Sequence, residues 1–264
     1  MGPTTTTGMS SIREAMKSIG VSDQVLELIM SSWSKSTLKK YATPLNRWMA
    51  HCSEKSIDPF IASHEQGMQF HQHNLGYSAM NTTRSAMSAV MQTVDGISFG
   101  KHPLVSRVMK GVFKQRPSLP KYTVTYDVAI LLNYMTTMPP NRENSLKLHS
   151  YKLATLMCLL SGQRAQTLDS LRLEFMHLDT DQCIFYISSL MKQSRPTFHP
   201  EPLKFLSFSD NTNICVVACI NDYLERTRGL REKMESGGIF ISYASPYKTI
   251  KSRSISRYVC KTFD

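Results

Sequence analysis

A long helical pattern that stops at a serine–glycine pair constrains the fold of this chain most. Six side chains recur at helical spacing before that pair: Leu146, His149, Leu153, Leu156, Met157 and Leu160. The pattern predicts a buried helix that ends near Ser161, because Gly162 suits the left-handed conformation that closes a helix. Arg164 then begins the next element, and Thr167 and Leu168 return that element to the core. The stretch therefore predicts an arginine held beside a hydrophobic core.

Two interpretations of Arg164 follow from this position. A guanidinium near a core is costly unless an anion meets it. The first interpretation is a structural arginine, paired with a carboxylate or with the carbonyls of a helix end, and spacing alone favours it because buried charges are usually paired. The second is a planar guanidinium fork aimed at a phosphate, for which its bidentate geometry is well suited.

The size and charge of the chain favour a polyanionic partner. Its 264 residues suffice for two domains with cores of their own, and 41% hydrophobic residues is normal for a globular protein. Lys and Arg number 31 against 20 Asp and Glu, which gives a formal charge of +11. This balance favours nucleic acid first and an anionic membrane second. A generic basic protein without such a partner is the alternative.

Several classes of protein are not expected. The sequence has no apolar run of about 18 residues and no apolar signal core, so neither a membrane span nor secretion is predicted. Residues 1–20 are expected to form a flexible tail. Six cysteines without a CxxC pair predict a reducing compartment, with no disulfide framework and no zinc site. His71 and His73 fall on different faces of a helix, so with His64 they predict no metal site, and no cofactor is expected.

The order of helix and strand signals predicts a mainly α fold with a small antiparallel β-sheet (α+β). Residues 21–116 show helical periods, and residues 117–126 contain prolines and cations without an apolar period, as in a linker. Residues 127–264 contain both helices and strand signals. Three β-rich stretches predict three strands, near residues 175–178, 183–187 and 204–208.

Basic side chains stand on the polar sides of three predicted helices in residues 21–116. Lys39 and Lys40 lie on the first, Arg84 lies among small residues on the second, and Lys110 and Lys114 lie on the third, which Pro103 opens. Such faces are candidate contacts with the DNA backbone and grooves. Solvated helix faces are the alternative interpretation.

The sequence SGQRAQTL, residues 161–168, resembles the first arginine box of the tyrosine recombinases, the phage-integrase family. The similarity is greatest to the variant in eukaryotic DIRS, Ngaro and Crypton mobile elements. Residues 102–117 resemble the segment that joins the core-binding domain to the catalytic domain, and residues 254–259 resemble the helix that leads to the second catalytic box. The resemblance implies a helical core-binding domain over residues 21–116 and a catalytic domain over residues 127–264.

The resemblance also implies a chemistry and partners. A tyrosine of this family cuts one DNA strand through a 3′-phosphotyrosyl intermediate, and protein cations stabilise the charge without a metal. Arg164 matches the first arginine, and Lys192 matches the hairpin lysine that acts as general acid, with Arg195 and Lys204 as rivals for that role. The implied partner is double-stranded DNA, on which copies assemble as a homo-oligomer, a tetramer. The implied location is nuclear in a eukaryote and cytoplasmic otherwise.

The sequence departs from the family pattern in two places. Thr167 stands where the common bacterial box has a glutamate, although the mobile-element variants are more similar there. No His-x-x-Arg follows Lys192, and Tyr258 occupies an apolar helical position typical of core packing. A recombinase truncated before its second arginine box, and inactive by itself, is therefore expected. The alternatives are a recombinase completed by another chain and a helical protein-interaction module.

Overall fold

The chain divides into two compact units in a computed structural model. The structure describes residues 10, 12–13, 16–17, 20–70, 75–94, 96–120, 127–190, 194, 197–198, 200–231 and 237–262. The two units are Met1–Thr123 and Val124–Asp264. The division between them falls inside residues 117–126, the stretch for which the sequence predicts a linker.

Five helices of the first unit lie wholly within the described residues. Helices α1 to α5 span Asp23–Ser31, Lys35–Lys55, His64–Phe70, Tyr77–Ser88 and Pro103–Gln115, and a 3₁₀ turn, Phe99–Lys101, precedes α5. The hydroxyls of Ser22 and Ser34 cap α1 and α2 by accepting backbone N–H groups. Pro103 is the first residue of α5, where its missing N–H costs nothing.

Helix α4 packs against both α2 and α5 in the core of this unit. Trp48 of α2 is fully buried, its indole N–H donates to the carbonyl of Pro59 at 3.0 Å, and its ring meets Phe70 edge-on. Helix α2 continues through Pro44, which is itself buried, so tertiary packing outweighs the hydrogen bond that proline removes.

The second unit combines helices with a three-stranded antiparallel sheet, which confirms the predicted α+β class. Helices α6 to α10 span Val128–Thr137, Leu146–Ser161, Ala165–Asp169, Val216–Arg231 and Ser252–Thr262. Strands β1 to β3 span Met176–Leu178, Gln182–Phe185 and Leu203–Leu206, in that spatial order. Cys183 lies opposite Leu178 and Phe205 in the register, and this side of the sheet faces the core.

Helix α7 lies at the centre of the second unit. It packs against α8, α9, α10 and β3, and its residues 149–157 are all buried. Ser145 caps its start, and Gly162 closes its end at φ 61° and ψ 10°, as the sequence predicts. Leu160 departs from the helical pattern, because the last turn of the helix leaves it 62% exposed.

None of the described helices is both long and apolar enough to cross a membrane.

Candidate nucleic-acid interface

Arg164 occupies the N-cap position of α8, three residues after the end of α7 at Ser161. Its backbone carbonyl accepts hydrogen bonds from the N–H groups of Thr167 at 2.8 Å and Leu168 at 3.4 Å. Thr167 and Leu168 are buried, so α8 is anchored in the core as the sequence predicts. The backbone of Arg164 is therefore fixed from its C-terminal side.

The short connection before Arg164 is held by local hydrogen bonds as well. The N–H of Gly162 donates to the carbonyl of Cys158 at 3.0 Å. The hydroxyl of Ser161 donates to the carbonyl of Met157 at 2.6 Å and accepts from the N–H of Gln163 at 3.2 Å. These bonds join the end of α7 to the start of α8, so the position of Arg164 is defined on both sides.

The side chain of Arg164, in contrast, is exposed, and it makes no hydrogen bond or ion pair with any described residue. The expectation of a guanidinium held beside the core is thus wrong. An N-cap residue lies outside the helical period, so burial of α8 does not carry the Arg164 side chain inward. The described residues provide no structural pairing for Arg164.

Other arginines of the second unit bind carboxylates or carbonyls of the protein itself. Arg142 pairs with Asp222, and Arg172 donates to the carbonyl of Asp169 at 2.8 Å. Arg231, which is partly buried, donates to the carbonyls of Gly238 and Ile239 and to the hydroxyl of Thr227, and this burial lowers its pKa. Arg164 makes no bond of either kind within the described chain.

Helix α10 carries a second set of exposed cations, which sequence reasoning did not single out. Arg253, Arg257 and Lys261 follow one another at intervals of four residues and form the α10 ridge, while Ile255 and Tyr258 face the core. Residues 237–262 contain five Lys and Arg and no Asp or Glu. Like charges at this spacing destabilise a helix. This four-residue repeat of basic residues is visible in the sequence and is the pattern that identifies the ridge.

Helix α10 packs against both α7 and α8. The carboxylate of Asp169, at the end of α8, accepts a hydrogen bond from the backbone N–H of Ser252 at 3.0 Å. Its other oxygen lies 3.6 Å from Nζ of Lys251. The element that begins at Arg164 and the helix that bears the α10 ridge are therefore joined directly.

The predicted DNA-binding cations of the first unit lie at its surface. Lys39, Lys40, Lys110 and Lys114 are exposed, and Arg84 is partly exposed. None of the five forms an ion pair with a described residue, whereas Arg13 and Lys17 pair with Glu27 and Asp23. The five stay candidate contacts, and the structure places them on three helices, α2, α4 and α5.

Arg84 stands on α4 among short hydroxyl side chains. The hydroxyls of Thr82, Ser85 and Ser88 each donate to the carbonyl four residues earlier, at 2.7 to 3.1 Å. Their protons are thus committed to the helix, and their oxygens stay available only as acceptors. Arg84 is the one long basic side chain on this helix.

The predicted general acid, Lys192, and its rival Arg195 lie outside the described residues. The second rival, Lys204, is described: it is exposed on β3, opposite Ile184 of β2. His177 of β1 lies opposite Ile184 on the other side, so these three residues line the outer face of the sheet. The assignment of Lys192 as the catalytic partner of Arg164 therefore stays a prediction.

Tyr258 is a core residue, as its helical position predicts. It is 6% exposed, and its ring packs 4.9 Å from that of Tyr151 and 5.5 Å from that of Tyr243. Burial raises the pKa of Tyr258 to about 12. A phenol with this pKa is held neutral, so it lacks the activation that a nucleophile needs.

Metal chemistry finds no support in the described residues. Nowhere in them do three or more His, Cys, Asp or Glu side chains come together in a way that could hold a metal ion. His64 stacks on His102 with ring centroids 4.2 Å apart and lies in the aromatic core of the first unit. His71 and His73 lie outside the described residues.

Comparison with known proteins adds no family assignment. No family model matches the chain, and a search of curated proteins returned no match. The tyrosine-recombinase resemblance therefore stands on the residues and motifs of this sequence.

Proposed function

We propose that this chain is a double-stranded DNA-binding protein of tyrosine-recombinase descent, with a role in site-specific recombination or integration through a 3′-phosphotyrosyl intermediate. The observation that carries the proposal is the state of Arg164: its backbone is fixed and its exposed guanidinium has no described partner. A preorganised cation without an internal anion suits an anionic ligand, because binding requires no ion pair to be broken first. The sequence motif around Arg164 supplies the ligand class, a DNA phosphate.

The proposal assigns roles to a few residues. Arg164 binds the phosphate, and Lys192 serves as general acid, with Lys204 as the described rival. Lys39, Lys40, Arg84, Lys110 and Lys114 hold the duplex through its backbone. By the resemblance, the chain assembles as a homo-oligomer, a tetramer, on DNA, and acts in the nucleus if its source is a eukaryote and in the cytoplasm otherwise.

Salt dependence of duplex binding tests the proposal. Lys39→Ala/Lys40→Ala removes two unpaired charges, and Arg13→Ala/Lys17→Ala removes two that are already paired with carboxylates. Fluorescence anisotropy of a labelled duplex over a range of NaCl concentrations gives the slope of log affinity against log salt. We expect the first variant to flatten the slope by about 1.8, since each phosphate contact contributes about 0.9, and the second to leave it nearly unchanged. Undetectable or salt-independent binding by the wild-type chain contradicts the proposal.

A helical protein-interaction module is the second candidate, and one observation favours it. Helix α6 exposes large apolar side chains: Val128 at 41%, Ile130 at 65% and Tyr134 at 51%. Apolar residues grouped on one helix are typical of protein contacts. The salt experiment separates the two candidates, because an apolar contact surface does not bind a DNA duplex in a salt-dependent way.

A further inference from the structure

Helix α5 carries an unusually uniform line of positive charge. Arg107, Lys110 and Lys114 are exposed and fall within about 60° of one another around the helix, given 3.6 residues per turn. None of the three has an ion-pair partner among the described residues. Residues 96–126 contain no Asp or Glu at all. The helix therefore tolerates repulsion at i,i+3 and i,i+4 spacing with nothing in its own sequence to offset it.

A groove runs beside this line of cations. Its volume is about 510 Å³, and its lining consists of Pro103, Ser106, Arg107, Lys110, Gly111 and Lys114. The lining combines three cations with a serine and a glycine, and a Cβ added at Gly111 would meet no atom within 4 Å, so the helix backbone there is open to a ligand. A line of three cations beside an open backbone suits an extended anion better than a single ion.

Gly111 is the residue that the fold does not explain. It lies in the interior of α5, where glycine destabilises a helix relative to alanine. It needs no left-handed backbone, and a Cβ added there would meet no atom within 4 Å. Neither packing nor conformation therefore requires a glycine at this position. What the missing side chain provides is access to the backbone between three cations.

We propose that the groove of α5 binds the sugar–phosphate backbone of one DNA strand, independently of sequence, with Gly111 admitting the strand against the helix. Arg107 and Lys114 are about 10.5 Å apart along the helix axis, since the rise is 1.5 Å per residue. A strand of duplex DNA advances 3.4 Å per nucleotide along the duplex axis, so three long cations spread over this length can each meet a different phosphate. This inference rests on the proposed DNA binding and assigns α5 a mode within it: charge contacts to the backbone, without base reading.

A glycine substitution gives the sharpest test, because stability and binding should change in opposite directions. In the full chain, Gly111→Ala should raise the melting temperature by about 2–5 °C through helix propensity. The same change should weaken duplex binding several-fold, since the added methyl group holds the strand away. Gly229→Ala is the matched control: Gly229 lies exposed in α9, and a Cβ there also meets no atom within 4 Å. It should raise the melting temperature similarly and leave binding unchanged.

Charge removal and a second duplex complete the experiment. Arg107→Ala/Lys110→Ala/Lys114→Ala should flatten the log-affinity against log-salt slope by about 2.7. Gly111→Ala and the triple charge variant should each weaken binding to two duplexes of unrelated sequence by the same factor. Wild-type affinity in Gly111→Ala, an unchanged slope in the triple variant, or an effect confined to one duplex would overturn the α5 proposal while DNA binding stands. If the wild-type chain binds neither duplex, both this inference and the proposed function fall.

Discussion

The carboxylate of Asp169 accepts a hydrogen bond of 3.0 Å from the backbone N–H of Ser252 and thereby caps α10 from the end of α8. The relationship links two residues 83 positions apart in sequence. It connects the helix that follows Arg164 to the helix that carries the α10 ridge. The proposed phosphate-binding arginine and these further cations therefore belong to elements that are tied together by a specific contact.

Removing this cap should destabilise the second unit. Asp169→Ala is expected to lower the free energy of unfolding by about 1–2 kcal/mol, because an unsatisfied helix start usually costs this much. Asp169→Asn keeps an oxygen acceptor and should cost less. Lys251→Ala should change stability by no more than about 0.5 kcal/mol, because the Lys251 side chain is 72% exposed. Urea unfolding followed by circular dichroism measures all three. Equal losses in the three variants would show that the ion pair, and not the cap, matters.

Acid should destabilise the protein through His149. This residue is fully buried, its Nε2 lies 3.1 Å from the carbonyl oxygen of Cys219, and burial lowers its pKa from 6.5 to about 4. The unfolded chain therefore takes up the proton first, so stability present above pH 6.5 is lost as the pH falls through 4, by about 3 kcal/mol in total.

Urea unfolding at several pH values between 7.5 and 4 measures this loss. His149→Gln can keep a donor for the Cys219 carbonyl, so it should be less stable at pH 7.5 but show a shallower decline towards pH 4. His177→Gln on the exposed face of the sheet serves as the control and should decline as steeply as the wild type. A His149→Gln profile parallel to the wild-type profile would contradict the assignment.

Lys152 should be dispensable for stability while its partner is not. It is fully buried, burial lowers its pKa, and its ammonium donates to Oδ1 of Asn141 at 2.9 Å. Asn141 in turn donates to Asp222 at 3.2 Å. Lys152→Met should therefore be neutral or stabilising, because an apolar side chain of similar length needs no compensation.

Asn141→Ala should instead lower the free energy of unfolding by about 2–3 kcal/mol, because it leaves a buried ammonium without an acceptor. The double variant, Lys152→Met/Asn141→Ala, should recover part of that loss. Thermal and urea unfolding of the three variants measure the coupling between the two residues. Additive losses would exclude the interaction that the contact indicates.

Local chemistry explains which features the sequence predicts. Gly162 closes α7 as predicted, because ending a helix in the left-handed conformation is a property of a single residue. The three strands are recognisable from β-rich stretches between turns. The exposure of Arg164 is not recognisable from the sequence, because the helical period assigns faces only to residues inside a helix. The partner of Lys152 is also hidden, since Asn141 lies in a loop and meets it only through the packing of the second unit.

A polypeptide of residues 1–264 should form no covalent adduct with DNA by itself. Tyr258, in the stretch that resembles the helix leading to the second catalytic box, is buried, and burial raises its pKa to about 12. A phenol that stays protonated near neutral pH is a poor nucleophile. A nicked suicide duplex and a denaturing gel detect the adduct. A covalent product that Tyr258→Phe abolishes would overturn the assignment of Tyr258 to the core.

Substitution of Arg164, with stability and DNA affinity measured together, tests the central claim most directly. If its guanidinium is kept free for a phosphate, Arg164→Gln or Arg164→Met should leave the melting temperature unchanged or higher. The same variants should bind a duplex more weakly and flatten the salt slope by about 0.9. Arg231→Met is the control for a structural arginine, and it should lower the melting temperature by several degrees, because buried carbonyls lose their donor. A drop of several degrees in the Arg164 variants, with DNA affinity intact after correction for folding, would contradict the account.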